Sequence, residues 1–497
     1  MPEERIKVWT ADQGAVEAMI LAGEETDDVL TQYGANEFMV DFLRESGLWE
    51  ELLIKPGQKK ENGKDWKKIS GIAILAELLH IGQLAKADKV IKDAKLMTEL
   101  GFTFAETESA ASRGKGVIHR DTIRNYFKAI PKEKSLNKFY SFVNFMRSKK
   151  WIRGRTYVAD GFEIEVFGKT YKGIGKVYDE QEKRWKYGYK AVILMNVEEE
   201  RERIIGFAIG PINSDERKLL LKIFKDLEKH VDKIKHLIDV IILDRGYWGY
   251  DFLEKTIVGG YQIDYVVIAK KSFTFIKEDL RYLIDNRKLN FQERQLFNRS
   301  TKKWEDVKVA FARDICFGHY ISKKNTHRGK VNVVVMKQMA GEEEKEVFYV
   351  TNKKIKKNPL KIVQLYGSRW TVENQGIRDL SHRWLIRVPI GRSLNAITAR
   401  IVLVLKLYNS VRIMEMKHGQ EWQENKEAIE AAGERSFIGG QAIIVYVGEY
   451  FGIFRTREYK KLIEMKTRRI TEERYFKKLK DYLPRGKIEE LRQKLAV

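Results

Sequence analysis

The sequence predicts a mixed α/β fold: one sheet of parallel and antiparallel strands with helices on both faces, flanked by helical regions at either end. Three observations predict it. Tyr157 to Asp160 leads into Phe162, Ile164 and Val166, which alternate, and 187–197 and 203–209 read as two more strands, giving an antiparallel meander. Ile238 to Leu243 is a mostly apolar run of the kind found in a central strand covered on both sides. Between them, Asp215-Glu216 opens an amphipathic stretch with Leu219, Leu220, Ile223, Phe224 and Leu227 at helical spacing, so the chain crosses over a sheet face.

The elements follow in order. Residues 1–145 read as helical: Ile72, Leu75, Ala76, Leu79 and His80 recur at helical spacing, as do Ala87, Val90, Ile91 and Ala94. Gly114-Lys115-Gly116 reads as a basic loop, after which Asp121 caps a short helix with Ile123, Tyr126 and Phe127 on one face, stopped by Pro131. From about residue 151 strands take over. After Leu243 the pattern predicts a helix through Phe252 and Leu253 and a strand from Tyr265 to Ala269. Residues 286–351 contain strand-like runs such as Val331 to Met336 and Val347 to Thr351, read as a β-rich insertion. Helix returns from Leu360 to about Lys417, and the last eighty residues read as largely helical and basic. The expected organisation is an N-terminal DNA-binding region 1–145, a core in two parts (146–285 and 352–415) around an insertion 286–351, and a C-terminal region 416–497.

Charge narrows the partner. Of 497 residues, 93 are Lys or Arg and 70 Asp or Glu, a net +23, which points to a polyanionic partner, either nucleic acid or an anionic membrane surface. Apolar residues make up 43% and charged residues 33%, a balance that excludes a largely disordered chain. The single cysteine, Cys316, excludes an internal disulfide framework and any multi-thiolate metal centre. Met1 to Arg5 has neither the basic flank nor the apolar run of a secretory signal, and the longest apolar candidate, Ile401 to Leu407, contains Lys406. A cytoplasmic, nucleoid-associated protein without a membrane partner is expected. Gly57 and Gly63-Lys64 lack the spacing and the Ser/Thr of a phosphate-binding loop, and Gly173-Ile174-Gly175 has no following helix.

Three carboxylates carry the chemistry. Asp160 and Asp244 stand at the ends of two expected core strands, where side chains leave the apolar core yet remain rigidly held. Glu163 and Glu165 are rivals to Asp160. Glu373 lies on an expected helix with Tyr366 and Arg369 at i, i+3, i+7, which shares one face. Converging carboxylates in a basic protein suit a hard cation such as Mg²⁺, which takes carboxylate, water and phosphate oxygens. Two such ions activate a water or 3′-hydroxyl and stabilise the leaving oxygen in phosphodiester transfer.

Asp160 after one strand, Asp244-Arg245-Gly246-Tyr247 after another and Tyr366-x-x-Arg369-x-x-x-Glu373 on a late helix resemble the DDE transposases over roughly residues 150–415. The type most similar is the insertion-sequence-four type, whose ribonuclease-H-like core carries a β-rich insertion before the glutamate; here Glu373 stands 129 positions after Asp244. The resemblance implies that Asp160, Asp244 and Glu373 hold two Mg²⁺ ions, with Mn²⁺ substituting. It further implies cut-and-paste transposition of double-stranded DNA, from element ends to a target, by a homodimer assembled on two ends. The family's lysine seven residues beyond the glutamate is replaced by Leu380, leaving Arg378 or Arg383 for that phosphate contact. Two alternatives stay open: a nuclease on the same fold that does not join ends, and an inactive DNA-binding derivative.

Further DNA contacts are expected from named residues. Tyr366 and Arg369 share the glutamate's face and suit a phosphate. Arg245, Tyr247 and Trp248 lie beside the second aspartate, and Tyr247, Trp248, Trp370 and Trp384 offer rings for stacking on unpaired bases or for the core. Arg113, Lys115, Arg120 and Arg124 surround the short helix at Asp121 and suit a DNA-reading element. Residues 455–494 hold 15 basic against 7 acidic residues, a second basic surface.

Overall fold

The computed structural model describes residues 10–24, 26–31, 35–57, 65–78, 100–103, 118–168, 170–198, 202–231, 233–269, 274–298, 303–317, 330–340, 343–355, 358–430, 442–448, 450–454, 459 and 461–466. Arg113, Lys115, Gly63-Lys64, the spacing at 87–94 and most of the basic stretch 455–494 lie outside the described residues.

The N-terminal region comprises β1 (Thr10–Ala11), α1 (Gln13–Ala22), β2 (Asp27–Thr31), α2 (Ala35–Glu45), α3 (Leu48–Leu52), α4 (Trp66–Leu78), α5 (Arg120–Lys128) and α6 (Lys132–Ser148). The expected short helix is α5, with Ile123, Tyr126 and Phe127 buried. Its cap is His119, whose ring accepts from the Asp121 N–H, not Asp121 itself. Asp121 instead sits in the first turn, where a negative charge suits the helix dipole, and pairs with Arg124 at 2.6 Å.

The meander is β3 (Thr156–Glu165), β4 (Gly175–Asp179), β5 (Arg184–Asn196) and β6 (Arg203–Pro211). Then come α7 (Glu216–Glu228), capped by Asp215 accepting from Arg217 N–H at 2.9 Å, and β7 (Val240–Leu243). The π-helical α8 (Asp251–Gly260), β8 (Asp264–Ile268) and α9 (Thr274–Asp285) follow. β7 lies parallel between β3 and β8, and β3 pairs antiparallel with β5, which gives the mixed sheet the sequence predicts. Gly206 lets α7 approach one face: a Cβ there would stand 2.3 Å from Ile223 Cγ2.

Strands β9 (Gln292–Asn298), β10 (Lys303–Cys316), β11 (Lys330–Ala340) and β12 (Glu343–Thr351) form where the insertion is expected. They do not close on themselves. β12 pairs antiparallel with β8, so the insertion prolongs the central sheet to ten strands, in the order β4-β5-β3-β7-β8-β12-β11-β10-β9 with β6 on β5. A helix α10 (Leu360–Gly367) continues through Arg369–Thr371, a π turn Val372–Ile377 and Arg378–His382. It packs on the face opposite α7. There Gly376 lies against β5, since a Cβ would meet Met195 Cε at 2.7 Å. The long α11 (Leu394–Glu430) contains the one stretch among the described residues long and apolar enough to cross a membrane by composition, Leu394–Lys417. Its most apolar window is 89% buried within the protein, as befits a core helix.

The terminal regions are not only helical. β13 (Ala442–Val447) and β14 (Tyr450–Phe454) form a second sheet with the N-terminal strands, in the order β1-β14-β13-β2. Its small core of Val16, Ile20, Val445, Val447 and Phe454 is separate from the main one. Ile443, Val445 and Val447 alternate along β13, yet the strand is short and its partner β2 lies some four hundred residues away, so local spacing does not reveal the pairing.

Candidate active site

Strand register brings the two aspartates together. Ala159 on β3 pairs with Leu243 on β7, so Asp160 and Asp244 are the next residues on two adjacent parallel strands. Neighbouring strands lie about 4.8 Å apart. At this point β7 ends and the chain turns away through Arg245–Tyr247, which frees the Asp244 side chain from the core.

Glu373 joins them from the α10 run, through Arg369. The Arg369 guanidinium lies 2.6 Å from Glu373 Oε1, 3.8 Å from Asp160 Oδ2 and 3.9 Å from Asp244 Oδ1. It also stacks over the Tyr366 ring at 5.7 Å, so the expected face of Tyr366, Arg369 and Glu373 is formed and turned to the aspartates. Glu373 lies in the π turn, a local widening of the helix found often at functional sites.

Electrostatics at this point are strained by burial. Desolvation pushes the Asp160 carboxyl up to about 6, opposed by the Gly161 N–H that it accepts at 2.8 Å and by Arg369. Burial raises the Tyr366 hydroxyl to about 12. A fourth carboxylate, Glu216, was not singled out by the sequence beyond opening α7. Its Oε1 lies 2.8 Å from where a Cβ on Gly161 would stand, and its Oε2 4.0 Å from that of Gly246. Gly161 thus leaves the space through which Glu216 approaches Asp244 from the other sheet face. Burial raises the Glu216 carboxyl, with Lys190 at 3.6 Å opposing the shift. The paired glycines flanking Asp160 and Asp244 are the signal that was available for it.

Of the rivals to Asp160, Glu163 is 3.6 Å from Lys190 and Glu165 is ion-paired with Arg184. Tyr247 and Trp248, expected at a DNA end, are corrected: they are 0% and 5% exposed. Trp248 stacks on Phe317 at 4.8 Å, and no ring face of either is open to a base. The reason is the 3₁₀ turn after Asp244, which folds both rings back under the strand ends. Trp384 is buried as well, whereas Trp370 is half-buried. Arg245 is exposed beside Asp244. Leu380 is fully buried and Arg378 is exposed, while Arg383 Nε lies 3.5 Å from Asp379. Arg120 and Arg124 are exposed on α5.

An all-oxygen donor set of this kind fits a hard divalent cation rather than a soft one. Among the described residues, however, no three His, Cys, Asp or Glu side chains are gathered as a ready metal site. The guanidinium of Arg369 supplies the positive charge among the three carboxylates, at 2.6 to 3.9 Å from each.

Two adjacent strand-end aspartates, faced by a glutamate-bearing helix, form an acidic centre at the end of a mixed sheet. The family model described as Transposase DDE domain matches residues 151–410. The chain belongs to this family and is a DDE transposase. Among solved structures, the chain is similar to a piggyBac transposase synaptic complex with hairpin DNA, determined by cryo-EM. The identity is 12% and the TM-score 0.37, over 98% of this chain and 84% of that one. No curated protein matches the chain.

Proposed function

We propose that this transposase is of the insertion-sequence-four type and performs cut-and-paste transposition, hydrolysing phosphodiesters at element ends and joining the freed ends to target DNA. The observation that carries the reading is the in-register meeting of Asp160 and Asp244 with Glu373 through Arg369. Asp160, Asp244 and Glu373 would hold two Mg²⁺ ions, with Mn²⁺ able to substitute. Bound there, the metal supplies an activated hydroxyl nucleophile and charge stabilisation for the leaving oxygen. The chain's own residues do the rest. Asp160 and Asp244, fixed by the strands, and Glu373, which closes the centre from the helix, would present their oxygens to the ions, since carboxylates alone repel a phosphate. Arg369 balances the carboxylates before substrate arrives and is free to turn to a phosphate oxygen afterwards, as a bidentate donor. Arg245, next to Asp244, and Arg378, five residues after Glu373, are exposed and are proposed as further phosphate contacts. The protein is proposed to act as a homodimer on two DNA ends, in the cytoplasm with the nucleoid and without a membrane partner.

The test uses a labelled duplex taken from DNA flanking the reading frame. Asp160→Asn, Asp244→Asn and Glu373→Gln are each expected to lower nicking by more than about two orders of magnitude while duplex binding persists. Wild-type nicking by the Asp244→Asn protein would overturn the assignment. Nicking without joining to a second duplex would leave a nuclease only.

A further inference from the structure

A second site lies beyond the end of β3. There a cavity of about 670 Å³ is walled by Arg124 and Lys128 from α5, Tyr171 and Lys172 from the β3–β4 loop, and Arg392 from the segment before α11. Four cations line it and no carboxylate does. Lys128, Lys172 and Arg392 have no ion pair among the described residues, while Arg124 pairs with Asp121 on the exposed side of α5.

Its walls are fixed by the fold. The Lys172 N–H donates to the Arg392 carbonyl at 3.3 Å, and the Tyr189 hydroxyl donates to the Lys172 carbonyl at 2.6 Å, anchoring the loop to β5. Gly173 has a positive φ of 75°, and a Cβ there would lie 3.3 Å from Leu394. On the third wall the Arg124 stem runs along Gly391, where a Cβ would meet its Cγ and Cδ at 3.6 Å. Three segments far apart in sequence therefore present their charges to one space.

The same segment and the same strand relate the cavity to the carboxylate centre. Phe162 is two residues beyond Asp160, on the same face of β3, and the Arg387 guanidinium lies 6.0 Å from its ring. Arg387 and Arg392 belong to the same segment, which thus carries one cation beside β3 and another into the cavity. β3 ends five residues after Asp160. At strand rise that is about 17 Å, the length of about five base pairs.

We propose that this cavity is a phosphate cradle for the DNA duplex, gripping its backbone about five base pairs or more from the scissile phosphate. The proposal rests on the function proposed above, since it takes DNA as the substrate. Contacts of this kind fix register and supply affinity without reading sequence. Charge complementarity identifies the occupant: a polyanion matches four cations with no acid, in a chain of net charge +23.

The experiment compares the full-length wild type with two triple variants of equal charge loss. One is Lys128→Gln, Lys172→Gln, Arg392→Gln. The control, Lys225→Gln, Lys229→Gln, Lys233→Gln, lies at the far end of α7, before β7 begins. Binding to a fluorescent 30-base-pair duplex is read by anisotropy across salt concentrations. The cradle variant is expected to lose about two to three units of the log Kd against log salt slope, at about 0.9 per phosphate contact, and the control less than one. Equal slopes for the two variants overturn the cradle while leaving the function standing; a wild type that does not bind the duplex overturns both. A second measurement does not depend on any variant's folding. Acetylation of Lys128 and Lys172 in the wild type, read by mass spectrometry, is expected to fall at least fivefold when duplex is bound. Unchanged reactivity at both lysines overturns the proposal.

Discussion

Arg369 is the residue on which the carboxylate centre turns, and its role follows from charge. Three carboxylates face one guanidinium at 2.6 to 3.9 Å, so in metal-free protein it is their nearest compensation. Arg369→Gln is therefore expected to lower metal-free stability by about 1–3 kcal/mol, the scale of charged hydrogen bonds lost from a half-buried site. Added Mg²⁺ is expected to stabilise the variant more than the wild type. Thermal melts with and without Mg²⁺ check this, and an equal metal shift in both proteins would sink it. Lys406 poses the opposite case. It is fully buried on α11, its ammonium has no hydrogen-bond partner among the described residues, and desolvation pushes its pKa down to about 7. The unfolded chain keeps the ordinary value of 10.5. Between about pH 7 and 10.5 the unfolded state binds more protons, so stability rises with pH across that window. Lys406→Met is expected to flatten this rise and to stabilise the protein at pH 7 by about 1–3 kcal/mol. Denaturant titrations at pH 7 and 9.5 read both effects. At this scale the sequence was informative about the triad, because acidic residues at strand ends are conspicuous. It showed Lys406 only as a break in an apolar run and Glu216 only as the start of a helix, since their environments are made by residues far away in the chain.

At the scale of elements, the buried pair Arg400–Glu77 joins parts that the sequence keeps apart. Arg400 on α11 and Glu77 on α4 are 2% and 7% exposed and meet in a two-pronged bond of 2.7 and 2.9 Å. The remaining Arg400 donors reach the carbonyls of Leu385 at 3.1 Å and Trp384 at 3.4 Å, and that of Val388. One guanidinium thus fixes a helix of the N-terminal region and the start of the segment that carries Arg387 and Arg392. Breaking such a pair leaves an uncompensated buried charge. Glu77→Gln is expected to destabilise the chain by about 3–5 kcal/mol. Hydrogen exchange at 384–393 is expected to rise with it, and unchanged exchange there would deny the coupling. Periodicity placed α7 because that helix buries a single stripe, and β5 and β6 showed as apolar runs because they are buried on both faces; β4, a half-exposed edge strand, was not read. Periodicity could not show that β12 docks on β8, since edge pairing depends on which strand is left open once the sheet has formed.

The whole molecule is closed by its ends. β1 and β2 take β14 and β13 as partners, and Val16 and Ile20 are fully buried against Val445, Val447 and Phe454. The sequence read both ends as helical, since a pairing across some four hundred residues leaves no local trace. A fragment of residues 1–145 therefore contains half of this sheet, and the DNA preference of the N-terminal region is properly tested in the full chain. The small core is distinct from the main one, which implies separable stability. A chain ending at residue 430 keeps the central sheet, α10 and α11 but loses β13, β14 and the apolar cover of α1. Its main unfolding transition is expected to stay cooperative, with amide protection lost over 10–31 and kept along β3, β5 and β7. Hydrogen exchange with peptide-level mass spectrometry measures both. Protection of 10–31 equal to that of the full chain would show that the N-terminal strands hold without their partners. Loss of protection along β3 would show that the two cores fold as one.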